Sequence, residues 1–343
     1  MDFDVLAFAG RFQPFHNGHK AVVDEALRRA KKVAIVIGSH DQPRNTRNPF
    51  TTAERIEMIS AVYPDEVRAG RIAFVPQIDY RYNDKRWIAG VQSGVTAVAH
   101  TPFTPDPVKI GLIGHSKDQS SFYLKCFPEW DSVEVENHAG INATDIRDSY
   151  LRNDDKLKFV DQLPAPVVSW LENFWDTPAL GTLRREFEFI KNYRKQWEAA
   201  PYAPTFHTVD AVVVQSGHVL LVERGAMPGK GLWALPGGFL EQGERLVDGA
   251  VRELVEETRI ALSEDTLRRC ITKHAVFDDP HRSQRGRTIT TAFLFELRPD
   301  VKLTKVKGAD DAAKARWVPL SQVKRGVMFE DHFDIISELT GAV

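Results

Sequence analysis

Two groups of residues in this 343-residue chain have the types and spacings to do chemistry on phosphates. The first is Gly10-Arg11-Phe12-Gln13-Pro14-Phe15-His16-Asn17-Gly18-His19, which follows an apolar strand and runs straight into a helical pattern. Gly10 would let a phosphate approach the backbone closely. The free amides of a helix starting near Gly18 would face the same point with the positive end of its dipole. His16 and His19 lie three apart, so both imidazoles can reach one phosphate chain, with Arg11 alongside. The second group lies in a helical pattern over 245–259. Glu253, Glu256 and Glu257 share one helical face there, while Val247, Ala250, Val251 and Leu254 take the neighbouring face into a core. Carboxylates gathered in this way repel one another unless a hard divalent cation, Mg²⁺ or Mn²⁺, neutralises them.

The string GRFQPFHNGH resembles the nicotinamide mononucleotide (NMN) adenylyltransferases of the bacterial bifunctional type, within the nucleotidylyltransferase superfamily. Asn48-Pro49-Phe50-Thr51-Thr52-Ala53-Glu54-Arg55 resembles a further segment of that family. Ile141–Arg147 stands where the superfamily carries Ile-Ser-Ser-Thr-x-x-Arg, with Asn142 and Ala143 in place of the two serines. The resemblance implies adenylyl transfer from the co-substrate ATP to NMN, giving NAD and pyrophosphate. It assigns His16 and His19 to the α- and β-phosphates and Thr144 and Arg147 to the β- and γ-phosphates, with His16, His19 and Arg147 as the catalytic set and Gly10, Arg11 and Gln13 as substrate-binding residues. It also assigns Asn83, Asp84 and Trp87 to the nicotinamide, and sets Lys117 and Asp118 over the same crevice. A phosphopantetheine or cytidylyltransfer acceptor is the rival reading, disfavoured by Trp87 and Tyr82-Asn83-Asp84.

Residues 238–260 resemble the Nudix box, with Gly238, Glu244, Arg252-Glu253, Glu256-Glu257 and Ile260 at its spacing. That resemblance implies metal-dependent hydrolysis of ADP-ribose to AMP and ribose 5-phosphate. Glu253 and Glu257 would be catalytic and the main metal ligands, joined by Glu256 and the carbonyl of Gly237. Pro280, Arg282, Arg285 and Arg287, in a loop resembling that of ADP-ribose pyrophosphatases, would bind substrate, and Asp310 or Asp311 is a candidate base. Arg259 occupies the place of the box's final glycine, so the helix is expected to end differently. The rival reading, a non-catalytic sensor of NAD metabolites, sits poorly with an intact carboxylate set.

These groups need elements to hold them. Short β-branched runs at Val5–Ala9, Val33–Ile37, Ile72–Val75, Val108–Ile113 and Val133–Val135 alternate with helical periods over 18–30, 51–62, 84–99 and 118–125. This pattern predicts an α/β, doubly wound, Rossmann-like parallel sheet that binds ligands at the carboxyl ends of its strands. A charged helix over 181–199, ended by Pro201 and Pro204, divides a first domain (1–180) from a second, α+β domain (206–343), with 181–205 as helix and linker. In the second domain, strands are expected at His207–Val214, His218–Glu223, Thr288–Leu297 and Ala315–Val318.

Forty-five Lys plus Arg against 47 Asp plus Glu give a net charge of −2, which supplies no field to hold nucleic acid. Two cysteines are too few for a disulfide framework, and no apolar run approaches about 18 residues. A cytoplasmic enzyme with small nucleotides as partners (NMN, ATP, NAD, ADP-ribose), and neither nucleic acid nor membrane, is therefore expected. Whether copies form a homo-oligomer is left open.

Overall fold

The structure, a computed structural model, describes residues 1–100, 107–114, 126–135, 141–152, 159–300, 302–308 and 312–343. The chain forms two compact units, Met1–Arg185 and Glu186–Val343. Expectations for Lys117, Asp118, Asp310, Asp311 and the helix over 118–125 lie outside the described residues.

In the first unit, β1 (Phe3–Gly10), α1 (Asn17–Arg29), β2 (Ala30–Ile37), α2 (Thr52–Val62), α3 (Pro64–Arg68), β3 (Ile72–Pro76) and α4 (Asp84–Ala99) come first. They are followed by β4 (Ile110–Gly114), β5 (Asp131–Glu134), α5 (Ala143–Arg152), α6 (Ala165–Phe174) and the start of α7 (Pro178–Lys195). The five strands are parallel, in the order β3-β2-β1-β4-β5. Val5, Leu6, Ala7 and Phe8 of β1 are all buried, as a strand covered on both faces requires. The chain reverses its direction of winding between β1 and β4, so the end of β1 is the switch point where such sheets bind ligands. The doubly wound expectation therefore holds, and Gly10 closes β1 at that point.

The second unit contains β6 (Thr205–Gln215), β7 (His218–Arg224), β8 (Trp233–Ala234), β9 (Gly237–Phe239), α8 (Leu246–Thr258), α9 (Glu264–Arg269), β10 (Ile271–Phe277), β11 (Arg287–Glu296), β12 (Ala312–Pro319) and α10 (His332–Thr340). Its sheet is mixed, in the order β10-β11-β6-β7-β12, with β9 on β6 and β8 on β7. Ala250, Val251 and Leu254 of α8 are fully buried against Val209, Ala211, Leu220 and Phe295, with Val247 packed at their edge. The expected helix over 181–199 is α7, which ends at Lys195, and the division between units falls inside it. Among the described residues, no helix is long and apolar enough to cross a membrane.

Candidate active sites

In the first unit the β1–α1 turn is built by its histidines. His16 is the N-cap of α1, and its Nδ1 accepts the His19 amide at 3.3 Å while the His19 Nδ1 accepts the His16 amide at 3.3 Å. This reciprocal cap stacks the two rings, 3.6 Å between centroids, so the pair is brought together as the spacing predicts. A Cβ on Gly18 would meet the His16 ring at 3.0 Å and Ile141 at 4.0 Å, so the segment that opens α5 lies against this turn.

Arg147 reaches back from α5 to the same turn. Its guanidinium donates to the Gln13 carbonyl at 3.3 Å and to the Thr144 hydroxyl at 3.2 Å, while its buried Nε has no hydrogen-bond partner. Burial, and then the neighbouring charge of Arg11, hold the Arg147 pKa down to about 10. Among the described residues, a buried cation with an orphan donor and a like charge beside it, offset only in part by Asp148, is suited to receive an anion. Asn142 caps α5 by accepting the Thr144 amide at 2.9 Å, so this replacement of a serine keeps the helix start intact.

Several residues expected at this site also make structural contacts. An added Cβ at Gly10 would meet the Phe12 ring at 2.9 Å, so packing alone already asks for a glycine there. Gln13 is buried and spends both ends of its amide on the backbone of Phe50, at 2.8 and 3.0 Å, so its side chain is a clamp. Trp87 packs beside Phe127, 6.1 Å between ring centroids, as a partly buried residue of the α4 core face. Asn83 caps α4 by accepting the Arg86 amide at 3.1 Å, and Asp84 is exposed in its first turn. Arg55, quoted with its motif but given no role, is fully buried and donates to the carbonyls of Arg11 at 2.8 Å and Gly38 at 2.7 Å. It thus ties together the ends of β1 and β2; an arginine inside a capped apolar helix start was the available signal.

In the second unit a cleft is lined by Asp210, Arg224, Gly237, Gly238, Phe239, Arg252, Glu253, Glu256, Glu257, Arg282, Arg285, Glu330 and His332, among others. The Nudix-like helix and the turn before it face each other across a small gap. The Gly237 amide donates to Glu257 at 3.1 Å, and a Cβ on Gly238 would lie 2.6 Å from the Glu253 carboxylate. Arg252 fans over its neighbours, donating to Glu244 at 2.8 Å, Glu253 at 2.9 Å and Glu256 at 3.0 Å. Burial, and in second place for carboxylate repulsion the Glu253 charge, push Glu257 up to about 8, against the opposing Gly237 hydrogen bond. Glu253 is raised too, first by burial.

Among the described residues no three His, Cys, Asp or Glu side chains are already drawn together as a metal cage. Two half-buried carboxylates that resist ionising, beside an open cleft and a glycine backbone, nevertheless fit a hard divalent cation, whose charge would offset both shifts.

The arginine loop divides. Arg285 lines the cleft over the Phe239 ring at 5.2 Å, and its buried Nε has no partner. Arg282 also lines the cleft, but it is only 3% exposed and is held in a two-pronged ion pair with Asp331, 2.9 Å on each prong, so it is no charged hairpin tip. Pro280 and Arg287 are not part of the cleft lining, and Arg287 donates instead to the Asp278 carbonyl. The end of α8 is a further correction. Arg259 adopts the left-handed conformation, φ 43°, that the glycine would have taken, so the helix ends in the ordinary way with a side chain in a costly place. Asp210, Glu330, Asp331 and His332 were missed; a lone acid within Val209–Val214 and the string Phe329-Glu330-Asp331-His332 were the signals.

Fold and sites together define a two-part nucleotide enzyme, a nucleotidylyltransferase unit followed by a Nudix unit. Residues 7–148 match the Cytidylyltransferase-like family and residues 205–339 match the NUDIX domain family. The chain is similar to the nicotinamide/nicotinic acid mononucleotide adenylyltransferase of Acinetobacter baylyi, 38% identical over 54% of this chain and 94% of that one. It is also similar to the ADP-ribose pyrophosphatase of Methanocaldococcus jannaschii, 33% identical over 38% of this chain and 70% of that one. A crystal structure of a bifunctional NMN adenylyltransferase/ADP ribose pyrophosphatase from Francisella tularensis, complexed with AMP and Mn ion, superposes with a TM-score of 0.88 at 35% identity, covering 99% of each chain. The chain belongs to the bifunctional NMN adenylyltransferase/ADP-ribose pyrophosphatase family.

Proposed function

We propose that the first unit joins NMN to the AMP part of ATP, forming NAD and pyrophosphate, and that the second hydrolyses ADP-ribose to AMP and ribose 5-phosphate. The observation that carries this is the pairing, in one chain, of a stacked-histidine turn beside a buried Arg147 with a cleft in which two half-buried carboxylates of α8 face a glycine turn.

In adenylyl transfer an NMN phosphate oxygen attacks the α-phosphorus of ATP and the bond to the β-phosphate breaks, leaving pyrophosphate. The attacking oxygen is already ionised, so the protein's part is positioning and charge stabilisation. The α1 amides and the His16–His19 pair are set to hold the triphosphate, and Arg147 with Thr144 to take its outer phosphates, where a planar guanidinium meets two oxygens. Asn83, Asp84 and Trp87 remain the residues we assign to the nicotinamide; one exposed face of a partly buried indole is enough for stacking on a pyridinium. Lys117 and Asp118 belong to the same assignment.

In hydrolysis, Glu253 and Glu257 would hold the divalent cation, Mg²⁺ or Mn²⁺, with the Gly237 carbonyl, and Glu256 would complete the set from the rim. A cation bound there supplies Lewis acidity to the pyrophosphate and lowers the pKa of water. Arg285 is placed to meet the pyrophosphate with its unpaired donor, and Arg252 keeps Glu253 and Glu256 from swinging away. Asp310 and Asp311 stay candidates for the base. Two thiols without a disulfide suit a reducing cytoplasm.

The test is product analysis on wild type, His19→Ala and Glu257→Gln, with NMN plus ATP and separately with ADP-ribose. His19→Ala should lose NAD formation and keep hydrolysis, and Glu257→Gln should do the reverse. Loss of both activities in either variant, or of neither, would overturn the assignment.

A further inference from the structure

We infer that His332 is a positioning residue of the hydrolase cleft, holding the Leu235–Gly238 turn at the register that the Glu253 and Glu257 carboxylates require. The inference rests on reading this cleft as the metal-dependent hydrolase site.

The turn is fixed at three points. The Ala211 amide donates to the Pro236 carbonyl at 2.8 Å, Gly237 pairs with Asp210 in the β6–β9 ladder, and the Leu235 amide donates to His332 Nδ1 at 2.9 Å. The last is the one contact of the three that comes from a side chain, and from a residue far along the chain. Leu235 is buried, so without that acceptor its N–H would be stranded away from water. Turn and carboxylates cannot move separately, because Gly237 donates to Glu257 and Gly238 sits against Glu253 with no room for a methyl group.

His332 itself is locked. It is 6% exposed and meets the Phe329 ring edge-on at 5.5 Å between centroids. The neighbouring Asp331, fully buried, is anchored by both prongs of Arg282. Because Nδ1 accepts, the neutral ring carries its proton on Nε2, which faces Asp210 Oδ1 at 3.9 Å. Burial favours that neutral form, against the pull of Asp210 and Asp331, with Arg282 acting in the same sense as burial. Groups that orient metal ligands from outside the ligand set typically change metal affinity or activity 10- to 100-fold when removed, roughly the effect expected here.

The experiment compares His332→Ala, His332→Asn and His332→Gln in the full chain. The Asn side-chain oxygen falls where Nδ1 lies and can accept the Leu235 amide, whereas that of Gln lies one bond too far out. Hydrogen exchange at the Leu235 amide should speed up by about tenfold or more in the Ala and Gln variants and return toward wild type in Asn. The Mn²⁺ dissociation constant should rise about 10- to 100-fold in Ala and Gln and recover in Asn, with NAD formation unchanged throughout as the folding control. Wild-type protection of Leu235 in His332→Ala, or equal impairment of Asn and Gln, would overturn the inference. A wild-type chain that neither binds Mn²⁺ nor cleaves ADP-ribose would instead overturn the reading of the cleft, and Leu235 exchange would still judge His332.

Discussion

A carboxylate that resists ionising must lose its proton before it can hold a cation, and Glu257, which we propose as a metal ligand, sets a pH dependence in this way. Its folded pKa, near 8, lies above the 4.5 of an unperturbed Glu. Below pH 4.5 the group is neutral whether the chain is folded or not. As pH rises from there toward 8, the unfolded chain releases the proton while the folded one keeps it, so metal-free stability falls through that window. A cation needs the ionised form, so its binding must expel the proton. Mn²⁺ affinity should therefore climb by up to about tenfold per pH unit and level off above pH 8, as titration calorimetry would record. A flat profile from pH 6 to 9 would contradict the coupling.

Arg147 allows a second test at this scale. Arg147→Lys keeps the charge but loses the fork, and should lower kcat for NAD formation by about 100-fold in steady-state assays. Arg259 allows a third. It is exposed and left-handed, so Arg259→Gly should stabilise the second unit by about 1 kcal/mol in urea unfolding, and no gain would mean that the conformation is free of strain.

Among the elements, β9 is the most constrained. An added Cβ on Gly237 would stand 2.3 Å from the Val209 carbonyl and 2.6 Å from the Asp210 carboxylate, so the β6–β9 pairing must open to admit it. Gly237→Ala should cost the second unit about 1–3 kcal/mol in thermal unfolding and abolish its hydrolysis, leaving NAD formation intact. The elements that carry chemistry were largely legible beforehand, because periodicity and capping are local. The spacing of Val247, Ala250, Val251 and Leu254 foretold α8 and its buried face, and the apolar run Val5–Ala9 foretold the central β1. What was not legible depends on distant partners. Nothing near Gln13 says that Phe50 will take both ends of its amide, and nothing near Arg282 says that Asp331 will neutralise it. Short strands such as β8 and β9 have too few residues for a period to show, and α10 follows a turn rather than a capping residue with a free side chain.

Among the described residues, the hydrogen bonds that hold the His16–His19 turn, Arg147, Glu253 and Glu257 each join residues of one compact unit. Ligand linkage should be divided accordingly: in calorimetric scans, ATP should raise the melting of one transition and Mn²⁺ with AMP the other. Two buried arginines of the second unit, Arg282 and Arg325, find their counter-charges in Asp331 and Asp334, at the start of α10. A nonsense codon that stopped translation just before Asp331 would remove the buried Ile335, Ile336 and Leu339 and would also break both ion pairs, taking Asp331 from Arg282 and Asp334 from Arg325; breaking a buried pair typically costs about 3–5 kcal/mol. Such a truncated product would be expected to reach the cell's proteases before it reached a substrate, even with every residue of α8 intact.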